Sequence, residues 1–223
     1  MRVDWYGQSA FRLSGETHTV FIDPFGDMSA LTRLRGIAFD YPVIEGVSAD
    51  LLLVTHEHGD HNAVDAIDGD PVVIRSTAGR IESPVGEVVA IASEHDDAAG
   101  TLRGPNSIVV FALDGIRVAH FGDFGQSELR PPQSAALGQV DMLILPVGGG
   151  PTIGAEQAAA IVRELTPKWV VPMHYRTPRI GFLETEEAFV ALMDHVHRSD
   201  TSGFDTDALP ESAGPLVVVP AAP

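Results

Sequence analysis

The stretch Leu51-Leu52-Leu53-Val54-Thr55-His56-Glu57-His58-Gly59-Asp60-His61 reads as a buried strand that ends in a cluster of coordinating side chains. Leu51–Val54 is short and apolar, as a core strand should be. Past Thr55, extended backbone puts alternate side chains on one side. His56 and His58 can therefore grip one cation together. Asp60 and His61, at the turn into a short helix, point toward a second cation a few ångströms away. Imidazole and carboxylate are ligands for zinc, iron or manganese. Four such groups at the mouth of a buried strand would be costly to desolvate without a metal.

Working outward, three more residues end apolar strands. His95 follows Val88–Ser93, Asp123 follows Ile116–Phe121, and His174 follows Trp169–Pro172. A lone histidine is more often structural than a ligand. As a set, these three have the logic of a rim that shares its site with the histidine loop.

Further short β-rich runs are Val3–Tyr6, Ala10–Leu13, Thr19–Ile22, Pro71–Ile74, Ser107–Leu113, Met142–Pro146 and Leu216–Val219, most bounded by Gly, Pro, Asp or Asn. Helical spacing predicts one helix from about Gly154 to Leu165, capped by Thr152 and closed by Pro167. A second is predicted from about Thr185 to His197, with Phe189, Leu192, Met193 and Val196 on one face. Strands dominate early and strand–helix alternation comes late. The expectation is a single α+β domain, 1–223, of two packed sheets with helices outside. Gly26–Gly46 reads as an irregular excursion over one face, a possible lid. Ser199–Gly214 is expected to be mobile and Pro220–Pro223 a frayed tail.

With 223 residues, 44% of them hydrophobic and 20% charged, the chain is globular rather than disordered. No apolar run approaches the ~20 residues that span a bilayer. No cysteine is present, which excludes thiolate ligands, disulfides and a cysteine nucleophile. The N-terminus reads as a strand, not a signal peptide, so a cytoplasmic location is expected. The net charge of −17 opposes binding to phosphate backbones. Lys168 is the sole lysine, and nothing near it supports Schiff-base chemistry.

The order Asp23, His56-x-His58-x-Asp60-His61, His95, Asp123, His174 resembles the metallo-β-lactamase superfamily. The finer context is similar to its ascorbate-6-phosphate lactonase-like branch of metal-dependent hydrolases. The matching stretches are Phe21–Pro24, Thr55–Asn62, His95-Asp96, Arg103–Asn106, His120–Gly125, Pro146–Gly150 and Pro172–Thr177. The resemblance implies a four-layer αββα sandwich with the site along one edge. It implies His56, His58 and His95 on one divalent metal ion, Asp60, His61 and His174 on a second, and Asp123 bridging them. Zinc is the first expectation for the pair, with manganese or iron as alternatives. Asp23 would steady the histidine loop from behind, as outer partners of metal ligands do. Two departures stand out. The bridging position is Asp123 rather than cysteine, which points away from antibiotic-hydrolysing members. Pro151 stands where many relatives place an aromatic residue, so substrate does not transfer by analogy.

The chemistry implied is hydrolysis by a hydroxide shared between two ions, acting on an ester, lactone, amide or phosphodiester of a small molecule. Asp60 is the residue to orient it and pass a proton to the leaving group. His120 reads as a core or supporting histidine. Asn106 and Tyr175 either touch substrate or make structural hydrogen bonds. The Gly148–Gly150 turn either offers N–H groups to an anion or is a plain turn. His195 and His197 read as surface residues near a helix C-terminus. The alternatives are a nuclease, a metal-binding regulatory protein without turnover, and a di-iron redox protein. A homo-oligomer is expected from the habits of relatives.

Overall fold

The computed structural model describes residues 1–223, apart from the side chains of Ala30, Leu31 and Arg35. In β3 (Thr19–Ile22) and β4 (Leu51–Val54), Val20, Ile22, Leu51 and Leu53 face a core between two sheets, whereas Phe21 and Leu52 face a second apolar cluster outside. Both faces are covered. That is why these strands read as unbroken apolar runs instead of alternating.

They lie in a six-stranded sheet ordered β13 (Gly203–Asp205), β1 (Arg2–Gly7), β2 (Ala10–Ser14), β3, β4, β5 (Val72–Arg75). Pairing is antiparallel as far as β3 and parallel from β3 to β5. The second sheet has eight strands. β6 (Gly79–Ser83), β7 (Gly86–Glu94), β8 (Pro105–Leu113) and β9 (Ile116–His120) form antiparallel neighbours. β10 (Met142–Pro146), β11 (Trp169–Met173), β14 (Leu216–Val219) and β12 (His195–Arg198) then continue it in parallel.

Parallel neighbours need a crossover, and α3 (Ala155–Leu165) supplies the one between β10 and β11, burying Ala158, Ala159, Ile161 and Val162. It and α2 (Pro131–Leu137) pack on the eight-stranded sheet, and α4 (Glu187–Val190) packs against α3. Over the six-stranded sheet lies the segment with α1 (Ser29–Arg35), where Phe25, Tyr41 and Ile44 join Ile180 and Leu183 against Phe21 and Leu52. The architecture is an α+β sandwich with the layer order αββα.

The structure corrects several expectations. The helix expected over Thr185–His197 is only the short α4, and His195–Arg198 is an edge strand paired with β14. The periodicity misled because Phe189 is the only buried residue of that helix, while His195 and His197 alternate along a strand. Helix-terminus electrostatics therefore has no bearing on these two histidines. Residues 199–214, expected to be mobile, include β13 and a 3₁₀ turn, Thr206–Ala208, and bury Phe204 and Thr206. The expected frayed tail is tied down: Ala221 N–H donates to Thr201 O, and Arg179 Nε to Pro223 O. The short helix after His61 is one 3₁₀ turn, Val64–Ala66. The excursion 26–46 contains α1 and contributes to an apolar cluster. Finally, α3 is capped at Gly154 without a side-chain bond, so Thr152 is not its cap.

Candidate metal centre

The strand ends named from the sequence meet at one edge of the sandwich. β4 delivers Thr55 and His56, β7 leads into His95, β9 into Asp123 and β11 into His174. Ligands gather at the C-terminal ends of parallel strands in open sheets for the same topological reason. Two residues here hold left-handed backbone although they are not glycine, Asp23 and His174, each with φ of 50°. Such conformations cost of order 1–3 kcal/mol and persist only where surroundings over-determine them. At both positions the chain leaves a strand and turns its side chain into the site.

The geometry centres on one carboxylate oxygen. Asp123 Oδ2 lies 3.1 Å from His95 Nε2, 3.3 Å from His61 Nε2, 3.3 Å from His174 Nε2 and 4.0 Å from His56 Nε2. His56 Nε2 is in turn 3.0 Å from His58 Nδ1. The side chains His56, His58 and His95 form one compact donor group, and Asp23, His56 and His61 form another. Asp60 stands at the mouth, with Oδ2 3.6 Å from His61 Nε2.

The outer ring nitrogens fix which nitrogen faces inward. His61 Nδ1 donates to Asp23 Oδ2 at 2.9 Å, and His95 Nδ1 donates to the Pro151 carbonyl at 3.1 Å. A proton held at Nδ1 leaves Nε2 with its lone pair, as a metal ligand requires. His56 Nδ1 meets Thr55 Oγ1 at 3.0 Å, and that hydroxyl donates to Asp23 Oδ2 at 2.7 Å. Asp23 Oδ1 also accepts the Thr55 N–H at 2.8 Å. One fully buried carboxylate therefore orients both His56 and His61. His174 Nδ1 approaches Thr152 Oγ1 at 3.5 Å, which places Thr152 behind a histidine rather than at a helix start.

This donor set fits a cation by two observations. His61 Nε2 is buried and has no hydrogen-bond partner, although three carboxylates surround the ring. Leaving a buried polar atom unpaired costs about 1–3 kcal/mol. The charge balance agrees. Burial disfavours a charged His61, but Asp123, Asp60 and Asp23 outweigh it and hold its pKa well above the ordinary value. Burial drives the Asp123 carboxyl upward, but His174 and His61 more than offset it and hold it well below the usual range. Burial, reinforced by His61, pushes His56 down to about 2, so its ring is neutral. The carboxylates around His61 thus ask for positive charge at the centre of the pocket.

Of the other named residues, Asn106 is structural. Its Nδ2 donates to Ser93 Oγ and the Phe121 carbonyl, both at 2.8 Å, and its Oδ1 accepts the Asp123 N–H at 3.1 Å. Gly122, with φ of 54°, is needed beside it, because a Cβ there would strike Asn106 and Thr55. His120 is a core histidine: Nε2 donates to Ser9 O and Nδ1 accepts the Gly122 N–H. Tyr175 is buried against Trp5, away from the cleft beside the candidate ligands. The N–H groups of Gly148 and Gly149 are spent on His174 O and Ile153 O, so they do not form an anion cradle.

Ser9 was not singled out from the sequence. Fully buried in the turn between β1 and β2, its Oγ donates to Asp123 Oδ1 at 3.2 Å. The only signal was a polar pair, Gln8-Ser9, interrupting apolar strands. The cleft beside these side chains has a volume near 670 Å³, and His58, Asp60, His95, Asp123 and His174 line its floor. Asp27, Met28, Leu102, Arg103, Pro151 and Phe182 complete its walls.

Comparison with known proteins identifies the family. Residues 2–174 match the family model of the beta-lactamase superfamily domain. A UPF0173 metal-dependent hydrolase of Methylobacterium nodulans is 32% identical over 226 residues, covering 87% of this chain and 92% of that one. One from Thermococcus kodakarensis is 31% identical over 205 residues, covering 79% and 85%. The crystal structure of a candidate Zn-dependent hydrolase of the metallo-β-lactamase superfamily from Thermotoga maritima superposes with a TM-score of 0.77 at 28% identity, covering 99% of both chains. The chain belongs to the metallo-β-lactamase superfamily, among the UPF0173 metal-dependent hydrolases.

Proposed function

We propose that this metal-dependent hydrolase holds two divalent cations and cleaves an ester, lactone, amide or phosphodiester of a small molecule. The observation that carries the reading is the convergence of four imidazole Nε2 atoms on Asp123 Oδ2, within 4.0 Å, in a pocket open on one side. His56, His58 and His95 would hold one ion, Asp60, His61 and His174 the other, and Asp123 would lie between them. Zinc suits these nitrogen and oxygen donors, as do manganese and iron. When bound, such a pair polarises a carbonyl or phosphoryl oxygen and eases the ionisation of water near neutral pH.

The chain's own groups do the rest. Asp23, Thr55 and the Pro151 carbonyl keep the imidazoles in register. Ser9 and the Asp123 backbone bond to Asn106 fix the central carboxylate. Met28, Leu102, Pro151 and Phe182 give the cleft its apolar walls. Asp60, a quarter exposed at the cleft mouth, is placed to accept a proton at Oδ2 from the attacking water and return it to the leaving group. A nuclease reading fares worse: among the described residues one cation, Arg103, lines the cleft, whereas a nucleic-acid strand needs a basic track.

Elemental analysis of protein purified without added metal, with a hydrolysis panel across the four bond classes, tests the reading. Two ions per chain and turnover of at least one class are expected. Asp60→Asn should lower kcat by about 10²-fold or more, with little change in KM. Less than one ion per chain in metal-replete medium, or no turnover by the loaded protein, would overturn it.

A further inference from the structure

Arg103 is the cation with no evident structural employment nearest the site. Arg2, Arg75, Arg80, Arg130, Arg179 and Arg198 each pair with a carboxylate. Arg103 has no carboxylate within ion-pair distance among the described residues, although the chain carries a net charge of −17. The two hollows it borders also hold the carboxylates of Asp27, Asp60, Asp123 and Glu57, none of them within ion-pair distance of it, and Glu57 is committed to Arg75. Its side chain lines both the main cleft and a smaller hollow of about 140 Å³ that holds Thr55, His56 and His58. It therefore borders His58, on the side of the His56, His58 and His95 group.

The position of Arg103 is built. The loop that leaves His95 folds back over its own first residue, Asp96. Asp96 Oδ1 accepts the N–H groups of Ala98 at 2.8 Å and Gly100 at 2.9 Å, and Oδ2 accepts those of Leu102 at 3.0 Å and Arg103 at 2.7 Å. The loop closes where His95 N–H donates to Gly104 O at 3.1 Å. One buried carboxylate thus ties the backbone of Leu102 and Arg103 to a proposed ligand. Leu102, 75% exposed, and Phe182, 45% exposed, are large apolar side chains on the same cleft. Six of the thirteen arginines are held in ion pairs, whereas Arg103 stands beside two exposed apolar groups on the cleft, which is the complement of an amphiphilic anion.

We propose that Arg103 is a specificity-determining residue that binds an anionic oxygen group of the substrate, carboxylate or phosphate, while Leu102, Phe182, Met28 and Pro151 contact its apolar body. This deepens the hydrolase reading and rests on it for the word substrate, but the anion site can be tested without turnover. Guanidinium presents a planar fork that matches either group, and a charge-assisted hydrogen bond there is worth about tenfold or more in binding.

The test uses full-length, zinc-loaded protein and its Arg103→Ala and Arg103→Lys variants. Calorimetric titration with inorganic phosphate and, separately, acetate reads the anion site directly. In Arg103→Ala, affinity for at least one anion should fall about tenfold, with a smaller loss in Arg103→Lys. The anion that responds more names the group. In parallel, 4-nitrophenyl hemisuccinate and 4-nitrophenyl butyrate form a charged and neutral ester pair. The wild type should favour the hemisuccinate in kcat/KM by about tenfold, and Arg103→Ala should abolish that preference, the loss falling on the KM for the hemisuccinate. Unchanged anion affinities in Arg103→Ala overturn the proposal, whatever the turnover. Anion affinities that fall as expected, in a protein inert to the whole hydrolysis panel, would retain the anion site and sink the hydrolase reading instead.

Discussion

The histidine loop is held by two carboxylates, one from within the sandwich and one from its surface. Asp23 is fully buried and binds Thr55 twice and His61 once. Glu57, between His56 and His58, faces outward and receives Arg75 Nε at 2.8 Å, Arg75 Nη2 at 2.7 Å and Ser76 Oγ at 2.6 Å. With Asn62 Nδ2 also donating to Glu57 at 3.2 Å, the outer clamp has one hydrogen bond more than the inner. The side chains of Arg75 and Glu57 are 42% and 47% exposed, however, so water can replace each bond that is lost. Inside, nothing can. The number of bonds is therefore a poor guide to which clamp holds the loop; burial decides.

The largest effect should come from breaking the inner clamp. Asp23→Ala strands the Thr55 N–H and hydroxyl and the His61 Nδ1–H in a dry interior, and should destabilise the metal-free protein by about 3 kcal/mol in urea unfolding. It should also lower metal content, since His56 and His61 both lose their orientation. A loss below about 1 kcal/mol would mean that water reaches this carboxylate and that the contrast between the clamps is false.

Next comes Asn106→Ala, which removes three bonds beneath Asp123 and should cost about 2 kcal/mol by the same measurement. A third test sharpens the inner side through pH. Burial keeps the pKa of His120 below its ordinary 6.5. The folded chain thus keeps this ring neutral while the unfolded chain takes up a proton as the pH falls below 6.5. Stability carried by His120 is present above that value and is lost below it. The urea midpoint of metal-free protein should drop between about pH 7 and about pH 5, and His120→Gln should flatten the drop.

The smallest effect is expected from the outer clamp. Hydrogen bonds from Arg75, aided by Ser76 and Asn62, lower the Glu57 pKa to about 2, yet exposure screens the pair. Glu57→Gln should cost less than about 1 kcal/mol, and the difference should shrink in high salt. A cost equal to that of Asp23→Ala would reverse the comparison.

Much of the site was legible because its signal is local. His56, His58, Asp60 and His61 announce themselves by spacing after an apolar strand, and His95, Asp123 and His174 by standing just beyond strand ends. The resemblance to a known family added the order of these residues and, with it, Asp23. The supporting groups were less legible. Ser9 lies 114 positions from Asp123 in the chain, and a serine in a turn has no periodic signature. Thr152 and Pro151 reach His174 and His95 by side-chain and carbonyl contacts that no spacing records. The same limit explains the C-terminal errors. Apolar residues at helical intervals over 185–197 state that some face is buried, but β14 decides that part of it is a strand.

The amino-acid order alone determined the apolar strands, the identity of the candidate coordinating side chains and the absence of thiol chemistry, because periodicity and residue type are properties of a few adjacent positions. Only the tertiary structure decided which carboxylate orients which imidazole, which oxygen lies at the centre and which arginine stands beside the cleft without a partner. Those are pairings between distant residues, selected by what the folded interior leaves within reach once water has been excluded.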